Sequence, residues 1–243
     1  AGFAALLRIM PIFTTLEPTY GVSMVGLLTI LAAITMTFGN LGAIWQSSLK
    51  RLLAYSSIAH AGYILMGFVV IASAPESELS RGAIVAIMMY LVVYLFMNLG
   101  SFLIVELVER KQETDHIRTY FGLGKTHPIP ALLLAVFFFS LVGLPPLAGF
   151  IGKFVLFGAL VKGKLFTLAI IGIANTVVSL FYYVRVIRDM FLSDPVQGKI
   201  IKTEGVMSFG GLGAMLAVIT LVPTVVLGLF WGQLVEWIQQ QVW

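Results

Sequence analysis

The chain has 243 residues, of which 59% are hydrophobic and 11% charged, with a formal net charge of +4 and no cysteine. A soluble domain carries about 25% charged residues, so a water-soluble enzyme is excluded. The lack of cysteine likewise excludes disulfides, thiolate catalysis and iron–sulfur ligation within this chain. Several apolar runs reach the ~20 residues needed to cross a ~30 Å hydrocarbon core, so the expected fold is an all-α polytopic membrane protein. About six full transmembrane helices are expected, plus the end of another.

Residues 1–10, AGFAALLRIM, read as the end of a preceding transmembrane helix, so the chain is expected to be the later part of a longer polypeptide. The first full span covers residues 23–45 and the second residues 53–71. Between them lies the stretch WQSSLKRLLAYSSIAHAGY, where Lys50 and Arg51 read first as positive anchors in a tight turn. His60 titrates near neutrality and is able to relay protons. A lone helical histidine also serves as a hydrogen-bonded packing residue, and that reading is preferred here.

The third span, residues 82–107, carries Tyr90, Tyr94 and Asn98 at four-residue spacing, hence on one helix face. Such a stripe holds waters and hydroxyls in a chain or glues two helices together. Glu106 continues the spacing near the end of the span and is expected to be solvated or paired with Arg110. Residues 109–127 form the largest polar loop.

Within the fourth span, residues 129–161, Lys153 is the only charge. An ammonium near the bilayer centre costs about 2.5–3.5 kcal/mol on insertion scales, so it normally faces a protein interior or a water-filled path. Pro145 and Pro146 break the same span and leave the carbonyls of Leu141 and Val142 without helical partners. A lysine beside a broken helix suggests a proton carrier. The alternative is a structural lysine that satisfies the freed carbonyls or snorkels to an interface. Apolar residues flank Lys153 on both sides, which argues against snorkelling.

The fifth span, residues 165–186, bears a second polar stripe of Asn175, Ser179 and Tyr182. The sixth covers residues 210–231, with Trp231, Trp237 and Trp243 as candidate interfacial anchors. Alternate loops hold Lys50, Arg51, Arg110, Lys111, Arg118, Lys125, Arg185, Arg188, Lys199 and Lys202, whereas the opposite side holds only Arg8, Arg81, Lys162 and Lys164. The richer side belongs in the cytoplasm, which puts the carboxyl terminus outside. His60, His116 and His127 are not spaced as a metal site, and no nucleophile–base pair is suggested.

In chain order, GNLGAIWQSSLKRLLAYSSIAHAGYILMG, MNLGSF, DHIRTYFGL and SLVGLPPLAGFIGKF resemble the carboxyl-terminal half of the antiporter-like subunits of respiratory complex I. The likeness is greatest to the subunit N group of proton-pumping NADH:quinone oxidoreductases and their photosynthetic relatives. It covers residues 1 to about 190 and weakens beyond. The resemblance implies the second half of an inverted-repeat fold. Residues 1–10 would end the eighth helix, 21–190 would form a five-helix antiporter-like repeat, and 191–243 would supply a loop and the final transmembrane helix. It assigns Lys153 to a central polar axis as proton carrier. Related subunits carry His or Lys on the helix that here holds Tyr90, Tyr94 and Asn98, so a water chain along Tyr94 and Asn98 is the expectation. The possible proton path then comprises Lys50, His60, Tyr94, Asn98 and Lys153.

No cofactor is expected in this chain; FMN, iron–sulfur clusters and quinone would belong to other subunits. The implied partners are the other membrane subunits of complex I in a hetero-oligomer and the lipid bilayer, with no nucleic acid. The implied location is the cell inner (plasma) membrane. Two other readings share these features: a subunit of a multisubunit cation/proton antiporter, and a structural membrane module that conducts nothing.

Overall fold

The structure is a computed structural model and describes residues 2–15, 23–75, 77–195 and 210–242. Lys199, Lys202 and Trp243 lie outside the described residues. Ten α-helices are described: α1 (Gly2–Thr15), α2 (Met24–Ile44), α3 (Leu49–Ser73), α4 (Glu78–Gln112), α5 (Leu123–Thr126), α6 (Pro128–Val142), α7 (Ala148–Lys162), α8 (Phe166–Leu192), α9 (Gly210–Leu229) and α10 (Trp231–Val242). A short 3-10 turn, Ile117–Tyr120, precedes α5. Among the described residues α2, α3, α4, α8 and α9 are single helices long and apolar enough to cross a membrane.

Local sequence sets the helix ends. Ser48 and Ser77 cap α3 and α4, their hydroxyls accepting the backbone N–H of Arg51 and of Ser80, each at 3.1 Å. Pro128 occupies the first position of α6, where its missing N–H costs nothing. Gly143 ends that helix at φ 92°, a left-handed angle that side chains rarely adopt. The fourth expected span is therefore two half-helices of 15 residues each. Each is about 22 Å long, too short to cross ~30 Å alone.

Two regions depart from the sequence expectation. The loop at 109–127 is not open coil: α4 runs on to Gln112, and the 3-10 turn and α5 follow, bent by 120° against α6. The last expected span ends at Leu229, close to the expected Trp231, but a further helix follows it. After a bend at Phe230 the chain continues as α10, whose Ile238 is buried with Val85, Met89 and Ile151. Polar positions such as Gln233, Glu236 and Gln239 hide this helix from a hydropathy reading, but it is amphipathic and packs its apolar side on α4.

The central element is α4, which touches α3, α6, α7, α9 and α10. Beside the cluster shared with α10, two larger apolar cores form around it. One gathers Met97, Ile104, Tyr120, Phe137, Phe138 and Tyr183. The other gathers Met36, Phe68, Ile87, Tyr90, Leu156 and Leu160. At the far end of α9, Gly228 lies against Pro146, Leu147 and Ala148, so the last span covers the break between α6 and α7.

Candidate functional site

The break is built by two helix ends that cap each other. Ser140, in the last turns of α6, accepts the backbone N–H of Gly149 in the first turn of α7 at 3.1 Å. In return Lys153, on α7, donates to the carbonyls of Leu141 at 3.1 Å and Val142 at 2.8 Å at the end of α6. These are the carbonyls freed by the prolines, so the polar groups a broken membrane helix leaves behind are satisfied within the protein. Gly149 is required for this contact, because a Cβ there would fall inside the Ser140 carbonyl. Gly143 leaves the room through which the lysine stem passes: a Cβ on it would meet Lys153 Cδ at 3.0 Å.

Lys153 is 4% exposed and makes no ion pair among the described residues. Its ammonium lies over the ring of Tyr63, 4.8 Å from the centroid. The carboxyl end of α6 presents a partial negative charge, which suits a cation. His60 is buried beside it. Its Nδ1 is 2.7 Å from the Tyr90 hydroxyl, its ring stacks on Tyr94 at 4.9 Å and meets Tyr63 edge-on at 5.8 Å. A positive charge on His60 and one on Lys153 repel each other. The structure thus joins Lys153, His60, Tyr90 and Tyr94 through Tyr63, which the sequence reading did not single out. Only its spacing three residues after His60, which puts both on one face of α3, signals it.

The other sequence candidates are dispersed. The Tyr94 hydroxyl is buried without a hydrogen-bond partner among the described residues. One turn further, Asn98 is half-buried and makes no hydrogen bond among them, so of the expected stripe Tyr90 and Tyr94 are the members in contact with His60. Asn175 and Tyr182 of the second stripe act as helix glue. Asn40 of α2 donates to the Asn175 side-chain oxygen at 3.0 Å, Tyr182 donates to Asn40 Oδ1 at 3.1 Å, and Asn175 donates to Thr37 at 3.1 Å. Ser179 donates back to the Thr176 carbonyl of its own helix.

Lys50 lies apart from this cluster, at the end of the bundle where α3 begins and α4 finishes. It pairs with Glu106 at 2.8 Å and with Glu109, and Arg110 holds the other Glu106 oxygen at 2.9 Å. Glu106 therefore takes Lys50 as well as Arg110, where the sequence suggested solvation or Arg110. Glu109 Oε2 is buried and close to Lys50 without the alignment of a hydrogen bond. Beside it, the turn between α2 and α3 is tied to residues 115–117. The Leu49 N–H donates to the Asp115 carbonyl at 2.9 Å, Ile117 N–H donates to the Ser47 carbonyl at 2.8 Å, and the Ser48 hydroxyl donates to the Asp115 carboxylate. Among the described residues no group of His, Asp and Glu is arranged to hold a metal ion.

Residues 1–179 match the family described as NADH:quinone oxidoreductase/Mrp antiporter, TM. NADH-quinone oxidoreductase subunit N of Anaeromyxobacter sp. (strain Fw109-5) is 42% identical over 253 residues, covering 98% of this chain and 46% of that protein. A chain of respiratory complex I from Thermus thermophilus with bound aureothin superimposes with a TM-score of 0.69 at 27% identity, over 96% of this chain and 47% of its own length. A chain of the Mrp complex from Dietzia sp. DQ12-45-1b shares the fold with a TM-score of 0.77 at 20% identity, over 90% of this chain and 47% of its own. The chain spans about half the length of the curated relatives it matches.

Proposed function

The chain belongs to the NADH:quinone oxidoreductase/Mrp antiporter family, and we propose that it forms one proton-translocating membrane module of a proton-pumping NADH:quinone oxidoreductase, with Lys153 as the proton carrier. The observation that carries this reading is the buried ammonium at the break, held by two backbone carbonyls and an aromatic ring, with no carboxylate paired to it among the described residues. Groups of that kind tolerate both the charged and the neutral amine, whereas a carboxylate partner would fix the charge. His60, Tyr90 and Tyr94 extend the cluster along α3 and α4.

In this reading residues 21–190 form one five-helix repeat, and the redox groups, FMN, iron–sulfur clusters and quinone, sit on other subunits. Quinone reduction there changes the field along the polar axis, and Lys153 takes up and releases a proton in response. Moving one charge against 100 mV costs about 2.3 kcal/mol, so the change at the lysine supplies at least that much. The carboxyl terminus lies on the outer side in this reading, which the bias of loop cations supports.

The test is proton pumping by membrane vesicles carrying Lys153→Ala, set beside NADH:quinone electron transfer and a native-gel check of assembly. Loss of pumping in the intact complex is expected. Native stoichiometry in the intact complex would sink the assignment and leave Lys153 as a cap for the broken helix. Sodium-dependent transport without NADH oxidation would instead move the chain to the antiporter branch of the family.

A further inference from the structure

A buried ammonium has three N–H directions to satisfy, and at Lys153 the Leu141 and Val142 carbonyls take two of them. The remaining electron-rich group at the ammonium is the Tyr63 ring, whose centroid is 4.8 Å from Nζ. The face of an aromatic ring attracts a cation, most strongly where water is excluded, and here the lysine is 4% and the tyrosine 1% exposed.

Resting on the reading of Lys153 as the carrier, we propose that Tyr63 is its positioning residue: the ring face is the third ligand of the ammonium and stands where an acidic partner would otherwise be needed. Neutral partners give this arrangement its use. A carboxylate would hold the proton on the lysine throughout a cycle, while a ring face holds the ammonium in place and lets the proton go. The ring is itself fixed on two sides. His60 meets it edge-on at 5.8 Å, and the Thr176 hydroxyl of α8 is 3.3 Å from the Tyr63 hydroxyl. The titratable groups around the pair are His60 on α3, Tyr90 and Tyr94 on α4 and Tyr182 on α8, and none of them is acidic enough to replace the ring as a fixed countercharge.

The experiment replaces Tyr63 in the assembled complex by phenylalanine and by its mono-, di- and trifluorinated analogues, which keep the shape of the ring while draining charge from its face. Tyr63→Leu and Lys153→Ala are prepared alongside. Coupled pumping and its pH profile are measured in vesicles after native-gel confirmation of assembly. Pumping by Tyr63→Phe is expected within about twofold of the native complex. A stepwise fall with each added fluorine should follow, reaching about three- to thirty-fold for Tyr63→Leu, as the strength of cation–π contacts implies. A flat series with Lys153→Ala inactive overturns the role of Tyr63 and leaves that of Lys153 standing. A loss in Tyr63→Leu without a fluorine gradient assigns Tyr63 to packing and equally overturns it. Native pumping by Lys153→Ala removes the carrier, and the positioning role with it.

Discussion

Lys50 and Lys153 lie on neighbouring helices and are stabilised in opposite ways. Lys50 sits in the first turn of α3, where a cation opposes the helix dipole, and Glu106 and Glu109 of α4 offset it with full charges. Lys153 faces the carboxyl end of α6, where the dipole favours a cation, and among the described residues its ammonium is held by carbonyls and a ring. The first lysine is half-exposed and its charge is matched; the second is buried and its charge is merely accommodated. The difference teaches that a lysine is held either by matching its charge or by orienting neutral groups around it. A matched pair holds its protonation state, and a site of neutral dipoles holds a position for the amine in either state.

The comparison breaks most completely at Gly149. Gly149→Val forces α7 away from Ser140 and removes both the cap on α7 and the seat of Lys153. A loss of about 3 kcal/mol is expected, the upper end for overpacking, seen as missing mature complex on native gels and a lower thermal inactivation midpoint. Gly149→Ala should act in the same direction with a smaller effect. Lys50→Met sharpens the contrast from the other side. It should leave the proton-to-electron ratio of the assembled complex unchanged and cost about 1 kcal/mol, the upper range for a partly exposed pair, with the difference shrinking at high salt. A lost ratio in Lys50→Met would place both lysines on one path.

The smallest effect is expected at Lys125. Its ammonium lies 2.7 Å from Asp194 and holds that carboxyl below the usual carboxylate range. A lowered carboxyl stabilises the folded chain above its ordinary value of 3.8 and loses that contribution as pH falls through the folded value. Both side chains are largely in water, so thermal midpoints of Lys125→Ala and native complex should agree at pH 7 and still agree in acid. A midpoint gap at pH 7 that closes in acid would show a surface pair contributing more than its exposure allows.

Much of this arrangement was legible from residues alone. Hydropathy located each long helix, the proline pair located the break, and the lone lysine in an uncharged run located the site. The freed carbonyls of Leu141 and Val142 were also foreseeable, because proline removes a donor at a known offset. What the sequence could not supply was pairing across helices. Tyr63 and Asn40 matter through partners 90 and 135 positions away in the chain, at Lys153 and Asn175, and no periodicity within α2 or α3 reveals those contacts. Tyr94 and Asn98 share a face of α4, as the four-residue spacing sets, but the spacing does not show what that face meets. The helix α10 was missed because its polar positions end the apolar run on which a span is recognised.

The contact of Gly228 with Pro146–Ala148 carries a consequence for how the protein is made. A chain threaded into the bilayer from its amino end inserts α6, the opened backbone and Lys153 well before α9 follows. During that interval the non-helical segment at 144–147 lacks its cover on the α9 side, in a medium that does not tolerate uncovered backbone. Completion of the last span is thus the step that seals the lysine site, and shortening the chain before residue 228 is equivalent to leaving that seal off.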